Sequence, residues 1–360
     1  MSFLKFFSCS SFHKNSDKSK SAKKSSAKTK LPLEDIQLFA YSKMGFGRRK
    51  THSQDSFCIM KSFTKDCHFF AIYDGHGHSG LEASLKANDY IEKHLKANAH
   101  KIERIRTDKQ FKSLLKKTFT KTEETFKAAP FDYTSSGTCC IAVLIQKNKC
   151  YVANLGDSKA VLCQEDDNSH IKSIELSKDH KPSRIDEKNR IIQMGGKIKR
   201  LHYHDVSVGP YRVWGNDEGP GIAVSRSLGD LRAKEVGVIW EPEIEKIELK
   251  GKEKYIVIAS DGLWDLMEVD EVTKFLAEWD QKGNDRAKSS EALVLEARSR
   301  WEQMNFASQM KQELENQGLA GVSVSCDDIT VIVAYLNFKG AISASKNQQQ
   351  KPEQIVVDIG

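Results

Sequence analysis

The sequence predicts an α+β protein in which helices cover antiparallel β-sheets. The main observation is a meander of strand-like runs within residues 137–163, separated by short polar turns at Asn148-Lys149 and Gly156-Asp157. Strands that follow one another through such short turns pair in the antiparallel sense. Two segments with helical spacing precede the meander, and further helical segments and a last strand follow it. This order does not suit a doubly wound parallel sheet.

The predicted helices have apolar residues on one face. The helix over residues 79–98 is expected to bury Leu81, Leu85, Ile91 and Leu95. The helix over residues 109–128 is expected to bury Phe111, Leu114, Leu115 and Phe119. A short helix at 185–194 follows a proline and precedes Gly195-Gly196, in the order that helix ends favour. Two more helices are predicted at 269–279 and 285–316, before a last strand at 329–336.

Composition divides the chain into three parts. Residues 1–34 form a Ser- and Lys-rich arm that we predict to be flexible, residues 35–337 form one folded domain, and residues 338–360 form a Gln- and Lys-rich flexible tail. Within the domain, residues 197–221 are irregular and rich in Gly, Pro and aromatic residues. We interpret them as a surface flap, which either contributes to function or is packing decoration.

The basic charge of the chain lies in the arm. Residues 1–30 contain eight lysines and one aspartate, which accounts for the whole net charge of +7, whereas the remainder has 48 basic and 48 acidic residues. A basic nucleic-acid-binding face across the fold is therefore not supported. The arm is either a solvated tail or a weak attachment to a membrane or a partner, and Cys9 beside Phe6 and Phe7 could be acylated.

The cysteines and the apolar runs indicate the cellular setting. The eight cysteines lie mostly in strand-like runs without zinc-site spacing, which is typical of buried thiols in a reducing compartment. No apolar run approaches the length that crosses a bilayer, so we expect neither a transmembrane segment nor a secretory signal. We predict a cytoplasmic or nuclear protein, with peripheral membrane attachment as an alternative.

Three apolar strands have carboxylates at one end. The strand at 68–73 runs into Asp74, the strand at 255–259 is followed by Asp261, and Asp327 and Asp328 precede the last strand. Each Asp-Gly pair taken alone is more often a hairpin turn. If the strand ends meet, the carboxylates would repel one another and protonate unless a cation neutralises them. A site of aspartates selects hard cations such as Mg²⁺ or Mn²⁺, which can activate water to attack a phosphate ester.

Eight motifs in order resemble those of the metal-dependent Ser/Thr protein phosphatases of type 2C, in particular their plant and protist members. The match covers residues 45–336. The motifs are SQDSF at 53–57, YDGHGHSG at 73–80, SSGTCC at 135–140, NLGDSKAVL at 154–162, DHKP with Glu187 and Arg190, GIAVSRSLGD at 221–230, SDGLWD at 260–265 and DDITVI at 327–332.

The resemblance implies a four-layer αββα sandwich with two central antiparallel β-sheets flanked by helices, and a metal centre in a cleft at one end. Two Mg²⁺ or Mn²⁺ ions would be bound by Asp74, the Gly75 carbonyl, Asp261 and Asp327. A third, weaker ion would use Asp157 and Asp265, and Asp55 would orient metal-bound water.

The resemblance also implies a mechanism. A metal-bridging hydroxide would attack phosphoserine or phosphothreonine in protein substrates, with His76 as general acid and without a covalent phosphoenzyme. The basic triplet would hold the phosphate. Lys50 stands where many members have the phosphate-contacting arginine, and Arg49 precedes it. Either Arg49 or Lys50 would therefore contact the phosphate. Gln54 replaces a glutamate that is common at this position.

Two alternatives belong to other functional classes. A catalytically silent relative would act as a binding module, but it should lack a metal-binding acid, and the expected acids are all present. A nucleic-acid protein working through the arm would bind in a salt-dependent way, and the balanced charge of the body does not favour it. We therefore predict a monomeric phosphatase whose partners are phosphorylated proteins and not nucleic acid.

Overall fold

Two antiparallel sheets form the centre of the protein. The computed structural model describes residues 31–47, 50–203, 206–215, 221–314, 326–339 and 355–358. The first sheet has six strands, which lie in the order β15 (Ile355–Asp358), β1 (Leu33–Lys43), β14 (Ile329–Phe338), β13 (Glu253–Ala259), β7 (Lys159–Glu165) and β8 (Ile171–Glu175). Its pairings are antiparallel except that of β15 with β1.

The second sheet packs against the first. Its strands are β11 (Leu228–Gly229), β4 (Gly137–Thr138), β3 (Cys67–His76), β5 (Cys140–Gln146), β6 (Lys149–Leu155) and β12 (Glu243–Glu248), and β2 (Asp55–Thr64) also pairs with β3. A separate hairpin consists of β9 (Lys197–Tyr203) and β10 (Val206–Trp214).

Helices cover the outer faces of both sheets. The described helices are α1 (Gly80–Ala97), α2 (Ala99–Ile102), α3 (Asp108–Lys127), α4 (Ile185–Gln193), α5 (Leu231–Lys234), α6 (Asp261–Trp264), α7 (Val269–Gln281) and α8 (Ser289–Leu314), with a 3₁₀ turn at Arg286–Lys288. Helices α1 and α3 pack on the second sheet, and α7 and α8 pack on the first. The predicted α+β, four-layer αββα sandwich is confirmed.

Alternate residues of each central strand enter different cores. In β3, Phe70 and Ile72 point into the apolar layer between the sheets, while Phe69, Ala71 and Tyr73 point toward α1 and α3. A strand buried on both faces has no polar side to display, so its sequence is a continuous apolar run. This explains why β3 can carry a carboxylate to the edge of the sandwich without exposing the rest of its length.

Two elements differ from the sequence prediction. The buried stripe of α1 is Ala83, Ala87, Ile91 and Leu95, and Leu85 is half exposed. The spacing predicts Leu81 and Leu85 on the buried face, but this part of the helix packs through Ala83 and Ala87, which allow a closer approach to the sheet. The flap is a hairpin of β9 and β10 and not irregular, with a register shift between Val208 and Arg212.

The ends of the domain also differ. The expected tail, 338–360, contains β15, whose backbone pairs with residues 40–43 of β1. This pairing satisfies backbone groups of β1 that would otherwise form an open sheet edge. At the other end, β1 begins at Leu33, inside the predicted arm, and residues 1–30 lie outside the described residues. Within the described part of the chain, no helix is long and apolar enough to cross a membrane.

The core between the sheets predicts the cost of a truncation. Ile256 is fully buried there, so Ile256→Ala should lower the free energy of unfolding by about 2–5 kcal/mol, through lost burial and a residual cavity. The control is Ile185→Ala, because Ile185 is 78% exposed and its truncation should change stability by less than about 0.5 kcal/mol. Chemical denaturation measures both, and equal effects would contradict the layer assignment.

Candidate metal centre and active site

The carboxylates lie where strands of both sheets end at one edge of the sandwich. Asp74 is near the end of β3, and Asp261 follows β13 after Ser260. Because β13 and β14 run antiparallel, the end of β13 lies beside the start of β14, where the Ser260 N–H donates to the Thr330 carbonyl at 3.1 Å. The tandem Asp327-Asp328 directly precedes this start. The topology therefore brings acids from distant parts of the sequence to one place.

Three of the predicted acids converge closely. Asp74, Asp157 and Asp261 each place one carboxylate oxygen within 4.8 Å of the others. Asp157 reaches this cluster from the turn between β6 and β7. The Oδ1 atom of Asp261 is buried and accepts no hydrogen bond from the described residues. An unpaired buried carboxylate oxygen is costly, so this atom is available to a ligand.

The electrostatics of the cluster favour a bound cation. Burial raises the pKa of Asp74 well above its usual range, and repulsion by Asp261 and Asp55 adds to it. Burial also raises the pKa of Asp261, together with repulsion by Asp157 and Asp327. Carboxylate oxygens are the ligands that Mg²⁺ and Mn²⁺ prefer, so the residues present fit such ions.

Lys181 compensates part of this charge. Burial alone would raise the pKa of Asp157, but the ammonium group of Lys181, which pairs with Asp157, holds the pKa below its usual range. Asp265 lies one turn after Asp261, since its N–H donates to the Asp261 carbonyl at 2.8 Å. Burial raises the pKa of Asp265 despite the nearby Lys181. One lysine thus faces three carboxylates and cannot neutralise them all.

A second acidic cluster provides a comparison. Asp186, Glu187 and Glu243 also lie within 4.8 Å of one another. This cluster is neutralised by arginines, namely Arg184, Arg190 and Arg226, which bind its carboxylates directly. The arginines therefore hold the pKa of Glu187 well below its usual range in spite of its burial, which is opposite to the shift at Asp74. The arginine-paired cluster needs no metal ion.

The tandem aspartates have different environments. The side chain of Asp327 is 57% exposed and borders the cleft. Asp328 is buried, and its two oxygens accept from the N–H groups of Gly45 and Gln54, each at 2.8 Å. The Lys50 ammonium lies 3.1 Å from Asp327 and 2.9 Å from Asp328. Lys50 therefore contacts the carboxylates, while Arg49 lies outside the described residues.

Asp55 lies beside Asp74, as its cross-strand partner on the neighbouring strand β2. Its Oδ2 atom accepts hydrogen bonds from the Ser260 hydroxyl at 2.8 Å and the Thr330 hydroxyl at 2.6 Å. Burial, with repulsion by Asp328, raises the pKa of Asp55 to about 7. Asp55 thus connects the second sheet to the ends of β13 and β14 in the first.

The turn after β3 is fixed by close backbone contacts. The Gly75 N–H donates to the Gln54 carbonyl at 3.2 Å, and a Cβ at Gly75 would lie 2.2 Å from the Gly80 carbonyl oxygen. The Gln54 side chain donates to the Gly77 carbonyl at 2.8 Å. No side chain larger than hydrogen fits at Gly75, so the path of this turn is determined by packing.

His76 is the next residue on β3, and its Nε2 atom lies 2.7 Å from Oδ2 of the buried Asp230. Burial alone would lower the pKa of His76, but the carboxylate of Asp230 outweighs it and the pKa is raised. The sequence analysis assigns no role to Asp230 or to Lys181, although both lie in motifs quoted above. A motif does not show which of its side chains meet across 154 residues of separation.

These residues border one cleft of about 900 Å³. The predicted residues that border it are Asp74, Gly75, His76, Asp157, Asp261, Asp265 and Asp327. The flap contributes Pro210, Arg212 and Val213 to the lining of the cleft. Asp55 and Lys50 do not border it; Lys50 reaches it through its ion pair with Asp327, and Asp55 is bonded to the Ser260 and Thr330 hydroxyl groups. The arrangement can hold a hard cation beside an imidazole, and a cation with an acid–base group is what metal-assisted hydrolysis requires.

Comparisons with known proteins agree with this class of site. Residues 39–305 match the family model described as Protein phosphatase 2C. The chain is 31% identical to "Probable protein phosphatase 2C 73" of Arabidopsis thaliana over 72% of this chain and 73% of that protein. It is 28% identical to the rice protein of the same name over 86% and 76%. The crystal structure of serine-threonine phosphatase 2C from Toxoplasma gondii superposes with a TM-score of 0.68, at 21% identity, over 86% and 98%.

Fold and site define a metal-dependent hydrolase. The chain belongs to the protein phosphatase 2C family, and it is a metal-dependent protein serine/threonine phosphatase.

The buried Asp328 predicts a large loss of stability on truncation. Asp328→Ala removes the acceptor of two backbone N–H groups and a partner of Lys50, at a cost of about 1–3 kcal/mol for each donor left without a partner. Asp186→Ala is the control, because Asp186 is exposed and its ion pair with Arg184 should contribute less than about 1 kcal/mol. Urea denaturation of the metal-free protein distinguishes them, and a loss at Asp328 no larger than the control would refute its structural role.

The raised pKa of Asp55 predicts a pH dependence of the metal-free protein. The folded state binds the proton more tightly than the unfolded state, in which an aspartate titrates near 3.8. The stability is therefore fully present below pH 4 and decreases as the pH rises through about 7. We expect the melting temperature without metal to fall between pH 5 and pH 8. In Asp55→Asn this fall should be smaller, and an unchanged profile would contradict the assignment.

Proposed function

We propose that this phosphatase hydrolyses phosphoserine and phosphothreonine in protein substrates with two Mg²⁺ or Mn²⁺ ions, held by Asp74, the Gly75 carbonyl, Asp261 and Asp327. The observation that supports the proposal most is the convergence of Asp74, Asp157 and Asp261, for which the described residues supply too few cations. Asp157 and Asp265 are proposed to hold a third ion, and Asp55 to orient a metal-bound water. Bound ions would lower the pKa of water, so that a hydroxide nucleophile would be available near neutral pH.

We assign the proton donor to His76. Its ring borders the cleft next to the carboxylates, and an imidazole titrates near neutrality. In this role it protonates the seryl or threonyl oxygen as the bond to phosphorus breaks. The phosphate is held by the basic triplet, through Arg49 or Lys50, and guanidinium or ammonium groups suit that anion.

The reaction is proposed to proceed without a covalent phosphoenzyme. Cys139 borders the cleft, but its thiol is buried and hydrogen-bonded to Asp157 at 3.3 Å. Burial, together with the charge of Asp157, raises the pKa of Cys139 well above its usual range. A thiol in this state is a poor nucleophile, because the thiolate is the reactive form. Direct attack by water therefore suits the site better than transfer to this side chain.

Further predictions concern the setting of the enzyme. From the sequence we propose that the protein is monomeric and lies in the cytoplasm or nucleus. We also propose that the basic arm can attach it to a membrane or a partner. The catalytic domain over residues 35–337 is likewise a proposal from the sequence.

Substitution of the metal-binding acids tests the proposal. Asp74→Asn, Asp261→Asn and Asp327→Asn should each reduce hydrolysis of phosphoserine and phosphothreonine peptides by at least about 100-fold with Mn²⁺ or Mg²⁺. Calorimetry should show weakened Mn²⁺ binding in the same variants, and a chelator should abolish wild-type activity.

The matched control is Asp186→Asn, in the acidic cluster that arginines neutralise. It makes the same change of charge and should leave Mn²⁺ binding and turnover unchanged. Normal turnover in Asp74→Asn or Asp261→Asn, or metal binding that depends on Asp186, would overturn the proposed ligand set.

A further inference from the structure

Asp230 is a buried carboxylate whose bonded partner at the cleft is His76. Its side chain is 4% exposed, and its Oδ2 atom lies 2.7 Å from Nε2 of His76. The Ser227 hydroxyl donates to the same oxygen at 2.6 Å. The backbone of Asp230 has φ +49°, in the left-handed region that a residue other than glycine adopts infrequently. This conformation persists because the surroundings fix it.

Several contacts hold Asp230 in this position. Its N–H donates to the Ser136 carbonyl at 2.9 Å, and its carbonyl accepts from the N–H groups of Ala233 and Lys234 at 2.9 and 3.2 Å. A Cβ at Gly137, on the neighbouring strand β4, would lie 2.2 Å from Oδ2 of Asp230. The Asp230 carboxylate therefore occupies the space that a side chain at position 137 would need. The carboxylate is therefore placed before any substrate binds.

We infer that Asp230 is a positioning residue for the phosphatase reaction, which orients the His76 ring and keeps a proton on its Nε2 atom. This inference rests on the proposed role of His76 as proton donor. The Nε2–H group is bound to Asp230, so in the imidazolium form of His76 the proton available for transfer to the substrate is the one on Nδ1. Its N–H bond breaks as an O–H bond forms on the leaving seryl or threonyl oxygen, which keeps the electron pair of the broken P–O bond. Asp230 acts on the substrate through His76.

The leaving group separates this role from a structural one. A seryl or threonyl oxygen needs a proton to leave, whereas p-nitrophenolate is stable as an anion and does not. Asp230→Ala should lower kcat for a phosphothreonine peptide by about 10- to 100-fold, with KM unchanged within about twofold. The loss with p-nitrophenyl phosphate should be less than about threefold. His76→Ala should show the same selectivity, with a larger loss on the peptide.

A double-mutant cycle provides the decisive readout. If Asp230 acts through His76, then His76→Ala/Asp230→Ala should be no slower on the phosphopeptide than His76→Ala alone. Asp230→Asn, which keeps the shape of the side chain, should show the same substrate selectivity with a smaller loss. The control, Asp89→Ala, removes an exposed carboxylate on α1 and should leave kcat and KM unchanged for both substrates. Melting temperatures establish that each variant is folded.

Two outcomes overturn the inference and differ in what they imply. Equal losses on both substrates in Asp230→Ala and Asp230→Asn, or additive losses in the double variant, would show that Asp230 does not act through His76. If His76→Ala itself lowered kcat equally for both substrates, His76 would not be the proton donor, and the inference about Asp230 would be wrong as well. The metal-dependent hydrolysis tested above would stand in the first case, and the proposed mechanism would change in the second.

Discussion

The repulsion between carboxylates that meet at one edge of the sandwich is the constraint on which the rest of this structure depends. Asp74 and Asp261 are placed in a poorly solvated edge of the sandwich, where burial and mutual repulsion disfavour their charged forms. Arginines relieve the same problem in the cluster around Glu187, whereas the ion pair found among the described residues for the cluster around Asp74 is that of Lys181 with Asp157. The protein thus leaves this site in need of further positive charge, which divalent ions can supply.

The architecture creates this constraint by stacking two sheets. The strand β3 belongs to one sheet, and β13 and β14 belong to the other, so the sandwich must form before their acids can meet. The hydrogen bonds of Asp55 to Ser260 and Thr330 cross between the sheets at this point. Folding energy from the apolar layers therefore holds the acids together against their repulsion, as is common at functional sites.

Much of the fold could be predicted from the sequence, for physical reasons. Continuous apolar runs marked the strands that are buried on both faces, and regular spacing marked α3 with Phe111, Leu115 and Phe119. The prediction that Leu85 lies on the buried face of α1 was wrong. It relied on the spacing of large apolar residues, whereas this part of the helix contacts the sheet through alanines. The hairpin of the flap and β15 depend on pairing between distant or weakly patterned segments, which local sequence does not reveal. Among the site residues, the acids that end strands could be predicted, but the partners Asp230 and Lys181 could not, because their contacts are tertiary.

Anomalous diffraction from a crystal grown with Mn²⁺ tests the central claim most directly, since it locates the ions without reference to activity. The account predicts anomalous peaks among the carboxylates of Asp74, Asp261 and Asp327, with none at Asp186, Glu187 and Glu243. An absence of peaks at the first group in a crystal that has bound Mn²⁺ elsewhere, or a peak at the arginine-paired group, would contradict it.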